Sequence, residues 1–333
     1  MRKSGLNERM QVFPPMPVFA HDYAFDPTYG YTKERLLSLV PPQEPGDYEI
    51  FWHARYKRAL ALDADPILLN TRSSHPDFGI YKLKYRSTDD VIIRGWMLTP
   101  HSGEVERVVV VGHGYGGREG PDFELPNHGT AWLFPCLRGL SQSRLSGVSE
   151  NPAFHVLHHI ENPHLYILGG CVEDIWLCVS AAIDLFPHLS EHVGYAGTSF
   201  GGGLGAMALA WDQRVRKAHL NVPSFGHQAL RLTLPTIGSG ASVIEHEQKH
   251  GHVMETLQYF DAAVAARHIG IPILFAGALF DPAVAPPGQF AIFNALTGPK
   301  ELFLLEAGHF EYPHRVRQEI ALRVHLEAFF EDL

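Results

Sequence analysis

The chain has little cysteine, no excess of basic charge and no long apolar run, and each shortage removes a class of function. Its 333 residues hold three cysteines, Cys136, Cys171 and Cys178. Their spacing matches neither a metal site nor a redox pair, so no disulfide framework and no cysteine-held metal are expected. Lys and Arg number 27 against 36 Asp and Glu, a formal net charge of −9. That balance argues against nucleic acid as a partner, because phosphates demand a basic face. No stretch approaches the roughly 20 apolar residues of a membrane-spanning helix. Gln11–Pro17 is too short and too broken by proline for the apolar core of a secretion signal, so a cytoplasmic, reduced protein is expected. The chain also lacks runs of like charge, internal repeats and low-complexity tracts.

What the chain does contain is glycine in a telling place. The segment Val193-Gly194-Tyr195-Ala196-Gly197-Thr198-Ser199-Phe200-Gly201-Gly202-Gly203 is a short apolar β-run ending in Gly-x-Ser-x-Gly, followed by small residues suited to a helix. That is the form of a nucleophile elbow. The backbone turns so sharply at the serine that bulk two residues away on either side would collide, hence Gly197 and Gly201. The turn leaves the Ser199 hydroxyl at a helix N-terminus, where negative charge is favoured.

Two partners follow in sequence. Ile271–Phe280 reads as a buried parallel strand with Asp281 at its end, and Leu302–Leu305 as another strand whose following loop carries Gly308-His309. Ser, then Asp, then His is the chain order of the α/β-hydrolase triad. Asp281 and His309 are 28 residues apart, about one strand-helix-strand unit, so they are expected on neighbouring strand ends. A nucleophilic serine also needs donors for the oxyanion. The N–H of Phe200 is one candidate, and the loop Gly112-His113-Gly114-Tyr115-Gly116-Gly117 after an apolar strand supplies the N–H of Tyr115 as the other. This constellation needs no metal and no cofactor.

The rest of the chain frames these residues. Residues 1 to about 45 are proline- and aromatic-rich without a period and read as an extended arm. Asp47–Asp63 has a rough helical period, with Ile50, Phe51, Ala54, Ala61 and Leu62 on one face, and Arg55, Lys57 and Arg58 interrupting it. Ile80–Tyr85 and Val91–Leu98 read as antiparallel strands joined by Ser87–Asp90, and Arg107–Gly112 as a buried parallel strand. A helix through Cys171, Ile175, Cys178, Val179, Ala182 and Phe186 ends at Pro187, with Glu173 and Asp174 in its first turn beside the positive end of the helix dipole. The expected fold is an α/β-hydrolase: a mostly parallel central sheet with helices on both faces and an N-terminal extension. A single domain over 1–333 is expected, with arm and helix over 1–75 and an insertion over 141–169 that shapes the pocket or a subunit contact.

At this point the residues resemble the acetyl xylan esterase / cephalosporin-C deacetylase family. The resemblance runs from about Asp47 to His309. It includes Asp47–Trp52, Gly95-Trp96, His113–Arg118, Arg138-Gly139, Gly169-Gly170 leading to Asp174, Ser199–Leu204, and Asp281 followed by Pro286 and Pro287. It implies a serine deacetylase acting on small acylated substrates such as acetylated sugars or cephalosporin C. It also implies a triad of Ser199, Asp281 and His309, Tyr115 at the oxyanion hole, and a homo-oligomer, a hexamer in many members. Three positions depart from the family pattern. Leu140 follows Arg138-Gly139 where the family has glutamine, Phe200 follows Ser199 where it has glutamine, and Phe310 follows His309 where it has glutamate. Each swaps a polar group for an apolar one, and Arg138, Leu140 and Phe310 are assigned to the walls of the substrate pocket.

Other signals are weaker. His155, His158, His159 and His164 read as a polar loop rather than a metal site, and His246, His250 and His252 with Glu245 and Glu247 as a solvated helical face. Trp96, Trp132 and Trp211 read as core. The competing readings are a peptidase or thioesterase of the same fold, and a catalytically silent relative that binds a ligand.

Overall fold

Apolar runs too short for helices, alternating with helical segments, build one sheet with helices stacked on it. The computed structural model describes residues 16–71, 73–126 and 128–333. The first 15 residues, with most of Gln11–Pro17 and the start of the arm expected over 1–75, lie outside the described residues. The strands are β1 Ile67–Asn70, β2 Phe78–Arg86, β3 Ile92–Pro100, β4 Arg107–Gly112, β5 Thr130–Cys136, β6 Val193–Thr198, β7 Val215–Asn221, β8 Ile273–Ala278 and β9 Lys300–Leu305. They form a nine-stranded sheet in the order β1-β2-β3-β5-β4-β6-β7-β8-β9. The first three strands pair antiparallel and β3 joins β5 antiparallel. From β5 through β9 every pair is parallel. The α/β-hydrolase expectation holds, and the carboxyl ends of β6, β8 and β9 open on one rim.

Both sheet faces are covered. Helices Ile167–Leu185 and Phe200–Leu209 bury their side chains against one face, in a cluster holding Val108, Val110, Trp176 and Leu204. The C-terminal helix Arg315–Phe330 covers the other with Leu322, Leu326 and Phe330, packed on Val109, Ala196 and Leu274. Trp96, Trp132 and Trp211 are buried, as read from the sequence.

The helix expected over Asp47–Asp63 spans Tyr48–Leu60, and it buries a different face. Tyr48, Phe51, Trp52, Arg55 and Ala59 point inward, whereas Ile50 is 73% exposed. The basic residues are the reason. Arg55 gives Nη1 to Glu173 Oε1 at 2.7 Å, and Arg58 gives Nη2 to Glu173 Oε2 at 2.6 Å. Glu173 and Asp174 correct a second reading. Their helix begins at Ile167, so both lie beyond its first turn and both are fully buried. Asp174 takes the Arg138 guanidinium (Nη2 to Oδ1, 2.7 Å), the Arg138 backbone N–H at 2.9 Å and the Ser87 hydroxyl. These acids therefore lock the helix to its neighbours rather than answering a dipole. Removing one partner strands the other charge in the core, which typically costs about 3–5 kcal/mol. Asp174→Ala is expected to lower unfolding free energy by that amount, read from the urea midpoint.

Candidate active site

The elbow is where local sequence dictates geometry. Ser199 lies between β6 and the helix Phe200–Leu209 with φ 53° and ψ −109°, a conformation costly for a non-glycine residue. Neighbouring packing imposes it. A Cβ on Gly197 would lie 2.5 Å from the Gly201 carbonyl oxygen, and one on Gly201 2.5 Å from the Gly112 carbonyl carbon. The strand and helix can approach this closely only because both positions lack side chains.

The turn points Ser199 Oγ at His309. Oγ lies 2.9 Å from Nε2, and His309 Nδ1 lies 2.8 Å from Asp281 Oδ2. The carboxylate can only accept, so Nδ1 carries the proton and Nε2 is free to accept from the serine. Burial by itself pushes the His309 pKa down, but the charge and hydrogen bond of Asp281 outweigh it, and the net shift is upward. Ser199 is buried yet still 8% exposed, and the His309 side chain is 29% exposed, so a small molecule can reach both.

Asp281 is fully buried, and among the described residues no lysine or arginine pairs with it. Its charge is carried by hydrogen bonds instead. Oδ1 accepts the N–H groups of Ala283 at 2.9 Å and Val284 at 2.8 Å, and Oδ2 accepts Gln289 Nε2 at 3.1 Å besides His309. Gln289 escaped the sequence reading. It lies on the helix Pro286–Ala295, is fully buried, and is itself fixed: Oε1 accepts the Ala278 N–H at 2.9 Å and Nε2 also donates to the Val284 carbonyl at 2.6 Å. Nothing in a lone glutamine after two prolines signals this. Gln289→Leu removes a donor from the carboxylate and orphans a buried N–H. We expect kcat on p-nitrophenyl acetate to fall about 5–50-fold, equivalent to roughly 1–2 kcal/mol, with KM little changed.

The two residues assigned to the oxyanion hole are neighbours. The Tyr115 ring stacks on the Phe200 ring with centroids 4.0 Å apart. The Phe200 N–H opens the elbow helix, among the N–H groups that no carbonyl of the helix can satisfy. Two buried histidines brace the Tyr115 loop. His113 donates Nδ1–H to the Gly114 carbonyl at 2.7 Å and accepts the Leu137 N–H on Nε2 at 3.0 Å. Burial pushes its pKa down to about 3, so it stays neutral. His155 belongs to the segment read as a polar loop, yet it has no exposed surface. Its Nε2 donates to the Arg138 carbonyl at 3.0 Å, leaving Nδ1 to accept the Tyr115 hydroxyl, also at 3.0 Å. Its pKa, lowered by burial to about 4, keeps it in that neutral form. His159, by contrast, is exposed.

Of the residues assigned to the pocket walls, one lies beside the triad. Phe310 and His309 both line a cavity of about 590 Å³ at the strand-end rim. Arg138 and Leu140 do not. Arg138 is spent on Asp174, and Leu140 is packed in the main apolar core. Their local motif resembled a pocket motif, but a guanidinium facing a fully buried carboxylate has no capacity left for substrate. A further hydroxyl, Ser224 Oγ, lies 3.4 Å from Ser199 Oγ, and its N–H donates to the Ser199 carbonyl at 3.0 Å.

A buried acceptor-imidazole-hydroxyl relay of this kind can carry out acyl transfer. Comparison with known proteins agrees with that chemistry. The model of the family described as acetyl xylan esterase (AXE1) matches residues 40–325. Among solved structures, the chain is similar to the acetyl xylan esterase from Paenibacillus sp. R4, with a TM-score of 0.75 and 22% identity over 90% of this chain and 100% of that one. Acetyl Xylan Esterase 1 from Thermoanaerobacterium sp. JW/SL YS485 aligns with a TM-score of 0.76 and 19% identity over 91% of this chain and 99% of that one. A Pyrococcus horikoshii acylaminoacyl peptidase shares the fold more loosely, with a TM-score of 0.61 and 17% identity over 77% of this chain and 42% of that one. At such identities the structural likenesses bear on fold, while the family match spans most of the sequence: the chain belongs to the acetyl xylan esterase family of carboxylic ester hydrolases.

Proposed function

We propose that this protein removes acetyl and other short acyl groups from small esters, acetylated sugars and cephalosporin C among them, through an acyl-enzyme on Ser199. The observation that carries this reading is the unbroken hydrogen-bonded series from Ser199 Oγ through His309 to Asp281 Oδ2. His309 Nε2 takes the Ser199 proton as Oγ attacks the ester carbonyl. Asp281 holds the imidazole tautomer and steadies the imidazolium. The backbone N–H groups of Tyr115 and Phe200 receive the developing oxyanion, each such donor contributing about 3 kcal/mol in comparable sites. Collapse expels the alcohol with the proton from His309. Water, deprotonated by the same nitrogen, then releases the acid and restores the hydroxyl. The 141–169 segment supports the oxyanion loop through His155. Phe200 in place of a polar residue leaves the donating N–H in position while making the wall beside it apolar.

Location and assembly belong to the same reading. Among the described residues no helix is long and apolar enough to cross a membrane. The three cysteines are free and buried, which suits a reducing cytoplasm. A homo-oligomer, following the family, would appear in light scattering as a mass that is a multiple of 37.1 kDa.

The direct test is stoichiometric labelling with a fluorophosphonate, which reacts only with an activated serine. We expect one label per chain, on the peptide carrying Ser199. Folded protein that takes up no label, or takes it up elsewhere, would overturn the mechanism.

A further inference from the structure

Ser224 carries a second hydroxyl beside the nucleophile. It sits in the loop after β7, Val222-Pro223-Ser224-Phe225-Gly226. This loop is pressed onto the elbow. The Ser224 N–H donates to the Ser199 carbonyl at 3.0 Å, and the Phe225 carbonyl accepts the Ala262 N–H at 2.9 Å. Gly203, in the helix Phe200–Leu209, makes room for it: a Cβ there would lie 2.2 Å from the Ser224 carbonyl oxygen. Near Ser224 on both sides the backbone is forced into the left-handed region, with φ 40° at Val222 and 68° at Phe225. Residues with a Cβ persist in such conformations only where their surroundings impose them. Beyond the loop, the buried Asp261 carboxylate accepts the N–H groups of His227 at 2.9 Å and Gln228 at 2.6 Å. Ser224 is thus held rigidly against the nucleophile.

The triad fixes the direction of the hydrogen bond between the two serines. Asp281 can only accept, so His309 carries its proton on Nδ1 and presents Nε2 as an acceptor. The Ser199 proton therefore points to Nε2, 2.9 Å away. Only lone pairs of Ser199 Oγ remain for Ser224, whose Oγ lies 3.4 Å off, so Ser224 is the donor. Ser224 is buried, and among the described residues Ser199 Oγ is the one hydrogen-bond partner of its hydroxyl. The separation is long, as catalytic hydrogen bonds often are before substrate binds, and such bonds tighten as charge develops.

The strength of this donor changes along the reaction. In the acyl-enzyme Oγ is the bridging oxygen of an ester, and its lone pair is delocalised into the carbonyl, which makes it a poor acceptor. In deacylation water adds to the acyl carbon and passes its proton to His309 Nε2. Addition ends the delocalisation. The bond from the acyl carbon to Oγ then breaks, its electron pair stays on Oγ, and Nε2 returns the proton to Oγ. Ser224 keeps its own proton throughout and donates most strongly to the departing, partly negative Oγ. In acylation it faces an Oγ that is a good acceptor both before the attack and during it, so it alters that barrier little.

We propose that Ser224 is a further catalytic residue, which speeds release of the acyl group by donating its hydroxyl to Ser199 Oγ as the acyl bond breaks. The proposal rests on the acyl-enzyme reading and adds a group to its second half. The test measures hydrolysis of p-nitrophenyl acetate by the wild type and by Ser224→Ala. The ratio kcat/KM reports formation of the acyl-enzyme. The turnover constant is kcat divided by the fraction of chains acetylated on Ser199, read by mass spectrometry after acid quenching at saturating ester. Ser224→Ala is expected to lower turnover about three- to tenfold, the scale of one hydrogen bond between uncharged groups, and to leave kcat/KM within about twofold of wild type. A merely structural disturbance of the elbow would lower kcat/KM as well. If the alanine variant does not fold, Ser224→Gly, which removes the same hydroxyl and fits wherever serine does, takes its place. A turnover constant that does not move, or a kcat/KM that falls as far as turnover does, would overturn the proposal while leaving the esterase intact. A wild-type protein that neither hydrolyses the ester nor takes up the fluorophosphonate label would sink the esterase reading itself.

Discussion

Ser199→Ala is expected to lower kcat on p-nitrophenyl acetate by about 10⁵–10⁶, to the residue of activity that binding and the oxyanion donors supply alone. The size follows from the geometry. Among the described residues, Ser199 Oγ is the nucleophile that can form the covalent acyl bond while giving its proton directly to His309 Nε2, 2.9 Å away. Ser224 does not substitute. Its Oγ is 3.4 Å from Ser199 Oγ, and its backbone is bound to the Ser199 carbonyl, which fixes it to one side of the attack path. Fold stability should change little, because the elbow strain is a backbone property and alanine inherits it. Initial rates with an enzyme preparation free of contaminating esterase decide the matter. A kcat within tenfold of wild type would remove Ser199 from the reaction.

Asp281→Asn should cost almost as much, about 10⁴ in kcat, and the structure explains why the near-isosteric change is so severe. Oδ1 receives the N–H groups of Ala283 and Val284, so the asparagine must keep its oxygen there. The NH₂ group then takes the place of Oδ2 and faces two donors, His309 Nδ1–H and Gln289 Nε2. Gln289 cannot turn round, because its oxygen holds the Ala278 N–H. The relief available is for His309 to move its proton to Nε2, the nitrogen that must accept from Ser199. A second readout checks this account. In the wild type kcat/KM is expected to fall with acid as His309 protonates, at a pKa above the usual histidine value of about 6.5. Burial pulls that pKa down and Asp281 pulls it up, so removing the charge should move the acidic limb of the residual activity to lower pH. A limb that stays in place would mean that Asp281 does not set the imidazole's protonation. Linkage gives the matching sign for stability. The contribution of the His309–Asp281 pair is complete below about pH 6.5 and is lost as pH rises through the elevated folded-state value.

Much of this molecule is readable without coordinates. The elbow is a local steric problem, and Gly197 and Gly201 solve it within five residues of chain. Strands β4, β6 and β8 are apolar runs that fit only a buried parallel sheet. Once the strands are placed, the parallel topology carries Asp281 and His309 to adjacent strand ends. The readings that failed involve charge and aromatic partners distant in sequence. Arg55 looks like an interruption of an apolar face until Glu173 is found 118 residues away, and Arg138 looks like a pocket residue until Asp174 claims it. The burial of His155, the role of Gln289 and the approach of Ser224 to Ser199 belong to the same class.

The residue order alone therefore determined the hydrolase scaffold, the strand-turn-helix that aims Ser199, and the chain positions of its acid and base partners. Only the tertiary structure decided which helix faces turn inward, which polar residues are consumed by the core, and which side chains line the cavity beside His309. Periodicity and turn chemistry record a chain's effect on its immediate neighbours. The free energy of a buried charge or ring depends on whichever group packing brings against it, and no spacing along the chain encodes that group.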